Sequence, residues 1–168
     1  MPKCKATKLL PHEQALLGSG DLRDVTHKGS TSRWLTAPST SRQDLPEGHT
    51  LVYRPMGDAE VHHLLQYNEL PSTQPYQAII EGTVGRVYAE KYLRGHKKVD
   101  TSPTTVVEFC ITCELVDTLM NIQHKVEDGA ISMGLGDKAG GGLPLFNNEL
   151  SRSPLGFRIV LVKRRTKR

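Results

Sequence analysis

With 168 residues, 37% apolar positions and a mean hydropathy of −0.41, the chain has the length for one ordinary domain with a core and the polarity of a soluble protein. Its longest apolar run is a handful of residues, against the ~20 that a membrane helix needs, and Met1-Pro2-Lys3-Cys4-Lys5 is not followed by the apolar stretch of a secretory signal. The formal charge of +4 divides as +2 over residues 1–48, −5 over 49–149 and +7 over 150–168, so the basic character sits mostly near the C-terminus.

Three cysteines make no closed disulfide set and fit a reducing compartment, a cytosol in which the chain is made or into which it is delivered. Cys110 and Cys113 have the spacing of half a zinc site, but no second pair accompanies them. On a strand, positions i and i+3 point to opposite faces. No metal site is expected.

Residues 1–48 read as a polar, partly irregular arm. Ser30–Arg33 and Pro38–Arg42 lack periodic apolar positions, a short helix fits His12–Leu17, and Trp34-Leu35 is the arm's one large apolar anchor. The main body spans 49–163, followed by a basic tail, 164–168. Thr50–Arg54 is a strand rich in Val52 and Tyr53. A helix follows from Asp58, which would cap it, with Val61, Leu64 and Leu65 on one face. Tyr76–Ile80 is a second strand. Gly82–Gly85 is a turn leading into a helix, Arg86–Leu93, with Val87, Tyr88, Tyr92 and Leu93 toward the core.

Thr104–Thr112 is the clearest strand, carrying Val106, Val107, Phe109 and Ile111. A helix over Leu115–Ile122, a glycine-rich loop over Gly129–Gly142 and a closing strand, Gly156–Lys163, complete the body. Helices and strands mix without a strict alternation. That predicts a single α+β domain around a mixed or largely antiparallel sheet, flanked by short helices.

The glycine-rich run Gly134–Gly140 is no P-loop, since no Gly-Lys-Ser/Thr closes it. Nor does it follow a strand and open a helix, as a dinucleotide fingerprint does. His62-His63 points two imidazoles to different helix faces, and no serine-hydrolase elbow or zinc-protease motif is present.

The order of elements and the residues on them carry more. A strand delivers Tyr53-Arg54; a helix, a strand, a Gly-Thr turn and a helix come next; a strong strand and a glycine-rich loop precede Asn147-Asn148-Glu149; and Glu149 lies eight positions before Phe157. Over about residues 50–163 this resembles the ADP-ribosyltransferase fold, in its branch with arginine on the first strand, a Ser/Thr motif on the second and glutamate near the end. Two departures stand out. The second-strand Ser-Thr-Ser is missing, leaving Thr83 as the hydroxyl, and Asn147 occupies the place of Gln or Glu.

The resemblance implies a split sheet and NAD as substrate. It casts Glu149 as the carboxylate that stabilises an oxocarbenium-like transition state, a role that preorganised charge fills well. Arg54 would grip the dinucleotide phosphates or ribose, with Tyr53 beside it. Thr83 would orient Glu149, and Asn147 would face the incoming nucleophile. A protein acceptor is the expected partner, and many arginine-type members are toxins or effectors. The basic C-terminus opens another reading, a non-enzymatic module on nucleic acid or an acidic partner. Convergence of Arg54 and Glu149 in one cleft would discriminate in favour of the enzyme, and their lying on opposite sides of the sheet would exclude it.

Overall fold

Two strands precede the expected main body, where composition pointed to an irregular arm. The computed structural model describes residues 23–26, 32–72, 78–93, 103–122, 124–127, 130–135, 141–153 and 155–165. In chain order these form β1 (Arg23–Thr26), β2 (Ser32–Thr36), a 3-10 turn (Arg42–Asp44), β3 (His49–Met56), α1 (Asp58–Tyr67), β4 (Ala78–Glu81), α2 (Gly82–Leu93), β5 (Thr105–Thr112), α3 (Cys113–Ile122), β6 (His124–Glu127), β7 (Ala130–Gly134), α4 (Gly142–Leu150) and β8 (Phe157–Arg165). The helix expected at His12–Leu17 lies outside the described residues.

The strands join in the order β1-β2-β8-β5-β3-β4-β7-β6, and every neighbouring pair is antiparallel. The α+β class is as expected. The sheet, however, is neither mixed nor split among the described residues. Sequence pattern shows where strands lie, whereas pairing direction depends on how the connections cross, which composition does not encode. β2 forms because β8 offers an edge to pair with, from Ser32↔Arg165 to Thr36↔Leu161, and β1 pairs with β2 in turn. Such pairing overrides weak local propensity. β8 accordingly runs two residues into the expected tail.

Alternation along β3 gives the sheet two faces. Val52 and Met56 belong to a large core with Val107, Phe109, Ile111 and Ile159, covered by Val61 and Leu64 of α1, Leu115, Val116 and Leu119 of α3, and Leu143, Phe146 and Leu150 of α4. Phe109 meets Phe146 edge to face, ring centres 5.1 Å apart, a geometry worth about 0.5–1.5 kcal/mol beyond its buried area. Tyr53, Val106, Val160 and Leu161 turn to the second face and pack with Tyr88, Ala89 and Leu93 of α2. β5 is buried on both faces over residues 105–111, which explains why it was the clearest strand in the sequence.

A register shift between Val106 and Val107 leaves Val160 as an extra residue in β8. This bulge turns consecutive residues, Val160 and Leu161, into the second-face core.

Several local expectations change. α1 is capped by Gly57, without a side-chain bond, and Asp58 accepts from Thr104 Oγ1 at 2.5 Å instead. The predicted turn Gly82–Gly85 is the first turn of α2. Val87 is 55% exposed rather than in the core, because Tyr88, Ala89 and Leu93 set the buried stripe. Part of the glycine-rich loop, Ala130–Gly134, is β7. The Phe146–Leu150 segment, for which the sequence predicted no helix or strand, is helical, entered through Gly141 at φ +90°, a conformation that suits glycine.

Candidate functional site

Arg54 follows Tyr53 on β3 and therefore points to the first face, where it is 5% exposed. Its Nε donates to Glu60 Oε1 at 2.6 Å and its Nη2 to Glu60 Oε2 at 3.2 Å, a bidentate pair under α1. The Gly57 entry into α1 sets Glu60 one turn in, over the arginine strand. The guanidinium that was to hold phosphates thus already holds a carboxylate.

Glu149 sits on α4 on the same face but at the other end of the strands. It accepts from the Thr112 N–H at 3.1 Å and from Thr112 Oγ1, and Thr112 Oγ1 in turn accepts from Leu115 N to cap α3. Thr112 pairs with His49, whereas Arg54 pairs with Val107. Five residues of β3 separate the two ends, about 17 Å at the usual rise of a strand. Arg54 and Glu149 do not share a cleft.

Asn147 clamps the backbone of Leu70, accepting from its N–H at 2.8 Å and donating to its carbonyl at 3.0 Å. It fastens α4 to the segment after α1. Thr83 stands in the first turn of α2, and its side chain lies outside the described residues. Of the four expected site residues whose side chains are described, Tyr53 alone enters a polar cluster with chemistry beyond its own contact.

That cluster lies on the second face. The Glu108 carboxylate, 2% exposed, accepts from Thr40 Oγ1 at 2.5 Å, from the Thr40 N–H at 3.1 and 3.3 Å, and from the Tyr53 hydroxyl at 3.0 Å. Ser39 Oγ in turn donates to the Tyr53 hydroxyl oxygen at 2.8 Å. Arg86 reaches in from α2, donating to Ser39 Oγ (2.8 Å), Thr36 Oγ1 (3.1 Å), the Ala37 carbonyl (2.6 Å) and the Val160 carbonyl (3.3 Å). From β8, Arg158 donates to Thr40 Oγ1 and the Pro38 carbonyl, both at 3.2 Å. The Val160 carbonyl accepts from both Arg86 and the Ala37 N–H, the latter at 2.8 Å and one step beyond the Thr36↔Leu161 pair of β2 and β8.

Beside it opens a recess of about 190 Å³, lined by Thr40, Glu108, Cys110, Leu155, Phe157 and Arg158 among others. Burial pushes the Tyr53 phenol up to about 12, with the Glu108 charge adding and the Ser39 hydrogen bond opposing. Burial also raises the Cys110 thiol, helped by Glu108 and Glu149, so this sulfur is a poor nucleophile.

Sequence reasoning passed over Glu108. The signal was present: a single acid inside Val106-Val107-Glu108-Phe109, a run otherwise apolar on both faces. Arg86 and Arg158 carried no comparable mark, since an arginine on a helix or strand is ordinary. Cys113 is exposed and Cys110 buried, so the two do not meet as a pair. Among the described residues no group of three His, Cys, Asp or Glu is placed to hold a metal, and no helix is long and apolar enough to cross a membrane. In comparisons with known proteins, no family model, no curated protein and no solved structure matches the chain.

Proposed function

We propose that the chain is an NAD-dependent ADP-ribosyltransferase acting on a protein acceptor. One observation supports this reading: β3 with Arg54, the elements after it and the Glu149 helix before β8 follow in the chain order on which the resemblance rests, with Arg54 and the Glu149 helix on one face of the sheet. In the reaction the bond between the ribose C1′ and nicotinamide breaks, and nicotinamide leaves with the electron pair. A bond forms from C1′ to the acceptor, which gives up a proton. Glu149 stabilises the positive charge on the ribose. The reading requires dinucleotide to draw Glu149 from Thr112 and Arg54 from Glu60, the partners that hold them toward opposite ends of β3.

The test is nicotinamide release from NAD by the purified chain, with Glu149→Gln and Arg54→Lys alongside and folding checked by circular dichroism. Release that falls at least a hundredfold in Glu149→Gln supports the reading. No release and no NAD binding sinks it.

The internal engagement of Arg54 and Glu149 favours a second reading, a non-enzymatic binding module. Its basic surface is smaller than composition implied. Arg158 holds the Pro38–Thr40 segment, and Lys163 donates to the Leu93 carbonyl at 2.9 Å. If this reading holds, nucleic-acid affinity falls steeply with salt and survives Glu149→Gln.

A further inference from the structure

Buried carboxylates are costly unless hydrogen bonds or countercharge hold them. Glu108 lies under the chain between β2 and the 3-10 turn, and the donors it receives are neutral: the Thr40 amide, the Thr40 hydroxyl and the Tyr53 hydroxyl. The overlying chain is held almost entirely through polar groups. Its Ala37 and Pro38 carbonyls take one guanidinium each, from Arg86 and Arg158, and its Ser39 and Thr40 hydroxyls bridge Tyr53, Arg86, Glu108 and Arg158. Apolar anchoring stops at Ala37, which is buried, while Pro38 is exposed and Ser39 and Thr40 are half-buried.

We propose that Pro38–Thr40 is a displaceable strap over a ligand site, and that the site takes a ribose phosphate. The strap's own contacts define that ligand. Thr40 presents two adjacent donors to one carboxylate, as the vicinal hydroxyls of a ribose do. The Pro38 carbonyl and the Ser39 hydroxyl of the strap sit on two guanidiniums, Arg158 and Arg86, groups suited to phosphate oxygens. The recess beside Thr40 and Glu108 already holds room for a small ligand, with Leu155 and Phe157 as its apolar wall. It lies on the face opposite Arg54 and Glu149, so it is a separate site from that of the NAD reading and does not depend on transfer chemistry.

While the strap is closed, apparent affinity is reduced by the fraction of molecules that are open. Weakening the strap therefore tightens binding. Thr40→Val keeps the amide but removes the hydroxyl bond to Glu108, and ribose 5-phosphate should bind it about tenfold tighter than the native chain.

The experiment is calorimetric titration of the full chain with ribose 5-phosphate, with ribose and inorganic phosphate as separate arms, on native protein, Thr40→Val and Glu108→Gln. Tighter binding by Thr40→Val, weaker binding by Glu108→Gln and the greatest affinity for the joined ligand support the site. Binding of inorganic phosphate as tight as that of ribose 5-phosphate overturns the ribose assignment. Absence of binding to both native protein and Thr40→Val overturns the site. Hydrogen exchange at the Thr40 amide of the native chain decides the matter without any variant. Saturating ribose 5-phosphate should speed it at least fivefold, and an unchanged rate overturns the strap. Nicotinamide release enters none of these readouts.

Discussion

The Tyr53 phenol titrates well above its ordinary value of 10, at about 12, because it is buried and shares Glu108 with Thr40. The folded value exceeds the unfolded one, so the fold favours the neutral phenol. Its contribution is whole below pH 10 and is lost as pH rises from 10 to about 12. Alkaline absorbance titration should therefore show one phenol ionising late, together with unfolding, and Tyr53→Phe should remove that step. The cysteines give a second prediction. In a Cys4→Ser background, iodoacetamide at pH 8 should modify exposed Cys113 at least tenfold faster than buried Cys110. At this scale the sequence was informative about residue type and poor about direction. Tyr53 and Arg54 were singled out together, yet strand alternation sends them to opposite faces, and each finds a different acid.

Elements held up better than the contacts between them. β3, α1, β5, α3 and β8 were legible because their apolar residues repeat at the period of a strand or a helix. α4 was not legible, since glycines and Pro144 crowd its start and Asn147-Asn148 resembles a turn. What makes it a helix is tertiary: Phe146 inserts against Phe109, Asn147 grips Leu70 and Glu149 grips Thr112. Asn147→Leu should leave the Leu70 amide and carbonyl without their partner, lowering stability by about 1–3 kcal/mol in urea denaturation. The Arg54–Glu60 pair makes a sharper case. Arg54→Met alone strands a buried carboxylate and should cost about 3–5 kcal/mol, whereas Arg54→Met with Glu60→Leu should recover most of that loss. Chemical denaturation of both variants checks it. Recovery identifies the pair as an internal brace, and no recovery points to a separate task for Arg54.

For the molecule as a whole, the α+β class followed from the mixture of periods, while strand order did not. Pairing between residues far apart in sequence leaves no local trace, and the arm's strands have few apolar positions to announce them. β2 and the strap after it cover one edge of β8 and the carboxylate of β5. Deleting residues 1–48 should therefore do more than trim an arm. It bares the edge of β8 and strands Glu108, and thermal unfolding followed by circular dichroism should lose its cooperative transition. A sharp transition near the native temperature would show that residues 49–165 fold without it.

Among the described strands β8 is made last, yet it is third in the sheet, between β2 and β5. During synthesis the seven other described strands leave the ribosome before the one that joins them. Until then β1 and β2 form a two-stranded ribbon with no sheet to rest on, too small to be stable by itself, and β5 waits with one edge open. The period of greatest risk for this chain is its own translation. A stalled or truncated product would present two unpaired edges to its neighbours, and its dependence on chaperones should end abruptly when Phe157–Arg165 emerges.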